Sequence, residues 1–153
     1  MLGFLGEISE VLRNTDISLH DAGAVTLREK KVSDLKNRVT AANALPEATL
    51  VSIHQNTFAD PKYRGAQVFF ARTQGSEEFA DAVQNALTSK LQSDNTRQAK
   101  PIDEKIYLMN HIKNCAILIE CGFLSNPEEE KLLQDSTYQN MIAMVVASAL
   151  STY

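Results

Sequence analysis

The sequence predicts an α/β fold with a mostly parallel central sheet flanked by helices, and three observations carry that prediction. Two short runs of aliphatic and β-branched residues, 48–55 and 115–119, read as buried strands. Amphipathic helical stretches lie before, between and after them, and such alternation is the pattern of a sheet built with crossover helices. The chain of 153 residues suffices for one domain with its own core, and no repeat or low-complexity segment divides it.

Residues 1–32 have no clean period; acidic and basic residues mix there with Gly, Asn and Asp, so the stretch is expected to be irregular with at most one short strand. Its Arg28-Glu29-Lys30-Lys31 cluster reads as a solvated loop rather than an anion site. Ser33 is placed as the cap of a helix whose Leu35, Val39, Ala42 and Leu45 recur at helical spacing until Pro46 stops it. Residues 48–55 follow as an interior strand covered on both faces, with His54 at its C-terminal end. A polar loop through Asp60 to Gly65 leads to a second strand over 66–71. Ser76 is then read as the cap of a helix with Phe79, Val83, Leu87 and Leu91 on one stripe and Glu77 and Glu78 in its favourable first turn. Residues 92–101 read as a polar linker, and a segment from Ile102 to Asn110 precedes the strand Cys115 to Ile119, which ends in Glu120. Two helices close the chain. Asn126 caps the first, with Pro127 at its first position and Glu129 three residues after the cap; Ser136 caps the second, with Tyr138, Met141, Ile142, Val145 and Ala149 on one face.

Composition excludes several classes. The formal net charge of -4 disfavours a nucleic-acid binder, which needs a concentrated basic surface. No apolar stretch approaches the roughly 20 residues of a membrane span. The opening Met1 to Gly6 is too short and lacks the basic start of an export signal, so none is expected in this chain. Cys115 and Cys121 flank an extended run of roughly 20 Å and match no common zinc or redox spacing, so both are read as reduced core residues.

Open α/β sheets place their sites beyond the carboxyl ends of strands. His54 and Glu120 occupy such positions, and they share one edge of the sheet if their strands are parallel. A carboxylate directly after Ala-Ile-Leu-Ile is expected to be partly desolvated, which raises its pKa toward the range useful in acid–base catalysis. A structural role stays open for each: His54 as a hydrogen-bonded strand end, Glu120 as a turn cap or ion-pair partner. Gly122 permits a tight turn after Glu120, and Ser125-Asn126-Pro127 would fix the loop that carries it.

Ser52-Ile53-His54-Gln55-Asn56 resembles the Ser-x-His-x-Asn motif of the zinc-dependent N-acetylmuramoyl-L-alanine amidases of amidase family 3, and the block Ile119 to Glu129 is similar to that family's second signature. Gly65 to Phe70 and Lys31 to Val39 resemble the family's intervening strand and preceding helix, so the likeness covers about residues 14–153. Within the family the text looks closest to the germination-specific branch that acts on spore-cortex peptidoglycan.

The resemblance implies a single catalytic domain over 1–153 that hydrolyses the amide between muramic acid and the first L-Ala of the stem peptide. Zinc would activate water, with Glu120 as general acid/base, His54 as a metal ligand, and Asn56 orienting His54 or contacting substrate unless it is only a turn residue. Peptidoglycan would be the partner, with an activating protein partner left open, and the full protein would act outside the cytoplasm, at the cell envelope or spore cortex. The departures are specific: no His-Gly-Gly is present, His20 and His111 read as surface residues, and Glu10 to Asp16 follows the family's second strand rather than supplying a ligand through Glu7 or Glu10. The expectation is therefore a chain lacking the family's first strand and first helix, with an incomplete zinc site and little activity alone. The competing expectation is a catalytically inactive remnant that at most binds wall material or a partner. A cysteine hydrolase built on Cys121 is disfavoured, because no histidine is placed to activate it.

Overall fold

The computed structural model describes residue 12 and residues 17–151. Its elements run in the order α1 (Leu27–Asn43), β1 (Leu50–Asn56), β2 (Gln67–Phe70), α2 (Ser76–Lys90), β3 (Lys100–Pro101), α3 (Tyr107–His111), β4 (Ala116–Phe123), α4 (Pro127–Gln134) and α5 (Ser136–Leu150). The strands form one sheet in the order β1-β4-β2-β3. β1 runs parallel to β4, β2 parallel to β3, and β2 antiparallel to β4. The expected α/β architecture with a mostly parallel sheet is thus present.

Side chains alternate along β4 and build a core on each face. Ile117, Ile119 and Cys121 pack with Val68 against Phe79, Val83 and Leu87 of α2, Leu133 of α4, and Ile142 and Val145 of α5. Ala116 and Leu118 turn to the other face and meet Ala42 of α1, Met109 of α3, Ile102 and Ile112. The first cluster is the larger, and the helices that cover it are more apolar than the 17-residue α1 on the other face.

Several element boundaries depart from expectation, each for a local reason. α1 begins at Leu27, six residues before Ser33, because Thr26 and Glu29 form a capping box: Thr26 Oγ1 accepts from Glu29 N and the Glu29 carboxylate accepts from Thr26 N. The Arg28 to Lys31 cluster is therefore the exposed first turn of a helix, not a loop. Ser33 accepts from Asp21 N instead of capping. α2 has Gly75 as its cap, in the left-handed region at φ 78°. Ser76, wholly buried, accepts from Ala116 N at 2.9 Å and so joins α2 to β4. α5 is capped by Asp135, one residue before Ser136. The expected polar linker contains β3, which pairs with β2.

β1 is an edge strand among the described residues, with Ile53 58% exposed, so it is not covered on both faces as expected. Residue 12 and residues 17–32 contain no strand; residues 1–11 and 13–16, where a short strand was also allowed, lie outside the described residues, Glu7 and Glu10 among them. Neither Cys115 nor Cys121 is in a disulfide; Cys121 is buried and Cys115 partly so. No helix among the described residues is long and apolar enough to cross a membrane.

Candidate functional site

Both candidate strands overshoot the residues expected to end them. β1 continues two residues past His54 to Asn56, and β4 three past Glu120 to Phe123. The strands are parallel, however, and His54 stands in register with Glu120. Adjacent strands lie about 4.8 Å apart, so the two residues are immediate neighbours at one edge of the sheet. On the other side Gln67 of β2 is in register with Glu120. Alternation places Ser52, His54, Leu118, Glu120 and Gln67 on the face covered by α1 and α3. A row of imidazole, carboxylate and amide therefore crosses three strands.

Glu120 is half-buried, and its Oε2 is buried without a hydrogen-bond partner. Burial disfavours the charged form and pushes its pKa above the ordinary carboxylate value. It also raises the adjacent Cys121 thiol to about 11, with Glu120 adding to the effect, so this thiol is a poor nucleophile. His54 lies further out; its Nε2 and Ser52 Oγ are hydrogen-bonded at 2.9 Å. Partial burial of the ring, and then the positive charge of Arg38 on α1, hold its pKa below the usual histidine value. Arg38 is itself fixed by the mostly buried Asp34, whose Oδ2 lies 2.8 Å from Arg38 Nε. A neutral imidazole thus stands beside a carboxyl that resists ionisation.

Beyond Glu120 the register slips by one residue, so that Asn56 faces Phe123. Such bulges re-aim side chains and are common beside sites. The two sequence motifs interlock there. Leu124 N donates to Asn56 O at 2.8 Å, Phe58 N to Ser125 Oγ at 3.0 Å, and Asn126 Nδ2 to Pro61 O at 2.9 Å. Asn56 uses its own Oδ1 to accept from Thr57 N, the behaviour of a turn residue.

Glu129 completes the clasp. Asn126 caps α4 by accepting from the backbone of Glu128 and Glu129, but the Glu129 carboxylate does not return to the cap. It is buried and accepts from Gly65 N and Phe123 N, both at 2.8 Å, which joins the β1–β2 loop to the end of β4. A Cβ at Gly122 would meet that carboxyl at 3.3 Å, which explains the glycine by close approach. Sequence spacing marked Glu129 as a capping position and left its long-range role unread.

The zinc implied by the sequence resemblance normally takes three protein donors. Among the described residues no group of three or more His, Cys, Asp or Glu side chains comes together. His54 is the single imidazole of the row, so the described residues do not by themselves fit a catalytic zinc. His111 is exposed, stacked 3.9 Å from Tyr107 on α3. His20 is not the simple surface residue expected: it is half-buried, with Nδ1 shielded from solvent.

Residues 4–152 match the family described as N-acetylmuramoyl-L-alanine amidase. A germination-specific N-acetylmuramoyl-L-alanine amidase of Bacillus subtilis (strain 168) is 34% identical over 149 residues, which are 97% of this chain and 62% of that protein. The amidase AmiC of Neisseria meningitidis serogroup B is 26% identical over 84% of this chain and 41% of its own length. The chain thus spans only part of these curated relatives. Among solved structures, the CwlD amidase of Clostridioides difficile, in complex with the GerS lipoprotein, superposes with a TM-score of 0.86 at 39% identity, covering 92% of this chain and 72% of that one.

Proposed function

The chain belongs to the N-acetylmuramoyl-L-alanine amidase family, and from that premise we propose that it hydrolyses the amide joining the lactyl group of muramic acid to the first L-Ala of the peptidoglycan stem peptide. The observation that carries this reading is the in-register pair of His54 and Glu120 on parallel strands, with Glu120 Oε2 buried and unpartnered. A carboxyl in that setting is available to a substrate water. Glu120 takes the proton of the water as its oxygen bonds to the carbonyl carbon; the C–N bond then breaks and the proton passes to the leaving amine. The products are a lactyl carboxylate and a free alanine amino group.

His54 is the metal ligand in this reading, Asn56 borders the substrate, and residues 1–153 act as one catalytic unit. Zinc bound there would polarise the carbonyl and activate water; with one donor among the described residues, no step is assigned to it, and this stretch alone is proposed to hold zinc weakly and turn over slowly. Likeness to a germination-specific amidase supports spore-cortex peptidoglycan as substrate, and hence action outside the cytoplasmic membrane. The GerS complex of the Clostridioides difficile neighbour supports a protein partner here as well.

The test is incubation of the chain with peptidoglycan and excess zinc, reading new alanine amino termini. Slow release is expected, falling by about 10²–10⁴-fold in Glu120→Gln, the usual contribution of general acid–base catalysis. Undiminished release by Glu120→Gln overturns the assignment.

A further inference from the structure

A cavity of about 380 Å³ opens beyond the start of β2 and the end of β4, lined among others by Lys62, Tyr63, Arg64, Asn95, Arg97 and Glu129. It is held open by contacts that leave positive charge at its rim. Arg97 Nε donates to Arg64 O at 3.0 Å, and the Arg97 guanidinium carbon stands 5.1 Å from the centre of the Phe123 ring. These contacts fix the direction of the guanidinium while its terminal nitrogens have no hydrogen bond among the described residues. Arg64 is already paired with Asp94 at 3.3 Å, whereas Lys62 and Arg97 have no acidic partner among the described residues. At the floor Glu129 has both oxygens engaged by backbone N–H groups, so its charge is directed into the protein. Tyr63 forms an apolar wall, 4.3 Å from Phe58 and 6.2 Å from Phe123 between ring centres.

We propose that this cavity binds a carboxylate of the stem peptide, with Arg97 as the recognising residue and Lys62 as a second cation at the mouth. The proposal rests on the amidase reading above. Distance sets which part of the substrate arrives. Phe123 lies three residues beyond Glu120 along β4, about 10 Å at strand rise, and an extended peptide covers about 3.5 Å per residue. With the scissile amide at Glu120, the Arg97 guanidinium over Phe123 falls two to three residues further along the peptide. An arginine whose Nε is already bonded and whose guanidinium stands over an aromatic ring keeps its two terminal nitrogens for a carboxylate, which matches such paired donors.

The test is titration of the full chain with three probes: a synthetic stem peptide bearing its free carboxylates, the same peptide fully amidated, and an unrelated peptide of equal negative charge. Wild type is expected to bind the first at least about tenfold more tightly than either other, and Arg97→Gln to remove that preference while its circular dichroism stays unchanged. Lys62→Gln, at an exposed position, should weaken the preference by a smaller factor. Equal binding of the acidic and amidated peptides by wild type overturns the proposal, and so does equal binding of the two acidic peptides, which indicates a non-specific cationic patch. Release of alanine amino termini from peptidoglycan is scored separately. Intact release without carboxylate preference sinks the subsite alone, and carboxylate preference without release sinks the amidase reading alone.

Discussion

Glu120 shows how a buried carboxyl without a hydrogen-bond partner costs stability. Its pKa is raised in the fold, so the native state holds a proton that the unfolded chain releases, and stability falls as pH rises through the two values. Glu120→Gln removes that penalty. Thermal melts should show the variant more stable than wild type at pH 8, with the difference shrinking toward pH 4; a difference independent of pH would contradict the burial argument. Glu129 instead adds to stability through its hydrogen bonds. Its carboxylate satisfies two backbone donors, and Glu129→Ala leaves them without acceptors at a cost of about 2–3 kcal/mol, measurable by urea denaturation. Local context made Glu120 legible in the sequence, since an acid at the end of an apolar run announces its own desolvation. Glu129 sits in an ordinary helix start, and its partners at Gly65 and Phe123 are fixed only by the tertiary fold. The register of His54 against Glu120 was hidden for the same reason.

Elements are legible wherever apolar periodicity is strong. In α2 and α5 Phe79, Val83, Leu87, Tyr138, Ile142, Val145 and Ala149 are buried as the pattern predicts, while Leu91 falls past the end of α2 and Met141 is 39% exposed. The apolar run predicts β4 only to Glu120, although the backbone continues extended to Phe123. The start of α1 is hidden from apolar periodicity because its first turns are polar, although Thr26-Leu27-Arg28-Glu29 carries the capping-box spacing. Thr26→Ala should therefore destabilise by about 0.5–2 kcal/mol and lower helix content near that end, read by far-ultraviolet circular dichroism. β3, two residues long, has no pattern to read. Caps can also serve long-range ends. Ser76 was named a cap, but its hydroxyl holds Ala116 N, so Ser76→Ala should cost about 1–3 kcal/mol by stranding a buried donor.

At the scale of the molecule, the two faces of the sheet are unequal, and the candidate site lies on the weaker one. The α2, α4 and α5 face is continuous and apolar, while α1 adds only Ala42 and Asp34 to the buried residues and leaves Leu27 87% exposed. Segments with few buried apolar contacts open first, so hydrogen exchange should protect β4 and α2 most and α1 least. The arrangement bears directly on metal binding. The row of Ser52, His54 and Glu120 faces α1, and among the described residues it supplies one imidazole where a catalytic zinc takes three protein donors. On the proposed reading a single imidazole, its protonation disfavoured by partial burial and Arg38, gives zinc too few donors to be retained. Purified chain dialysed against metal-free buffer should therefore carry well under one zinc per chain by elemental analysis, and His54→Ala should abolish the zinc taken up when the ion is supplied. Retention of a full equivalent through dialysis would mean that further donors reach His54 from outside the described residues, and would withdraw the expectation of weak binding while leaving the fold and the Glu120 assignment in place.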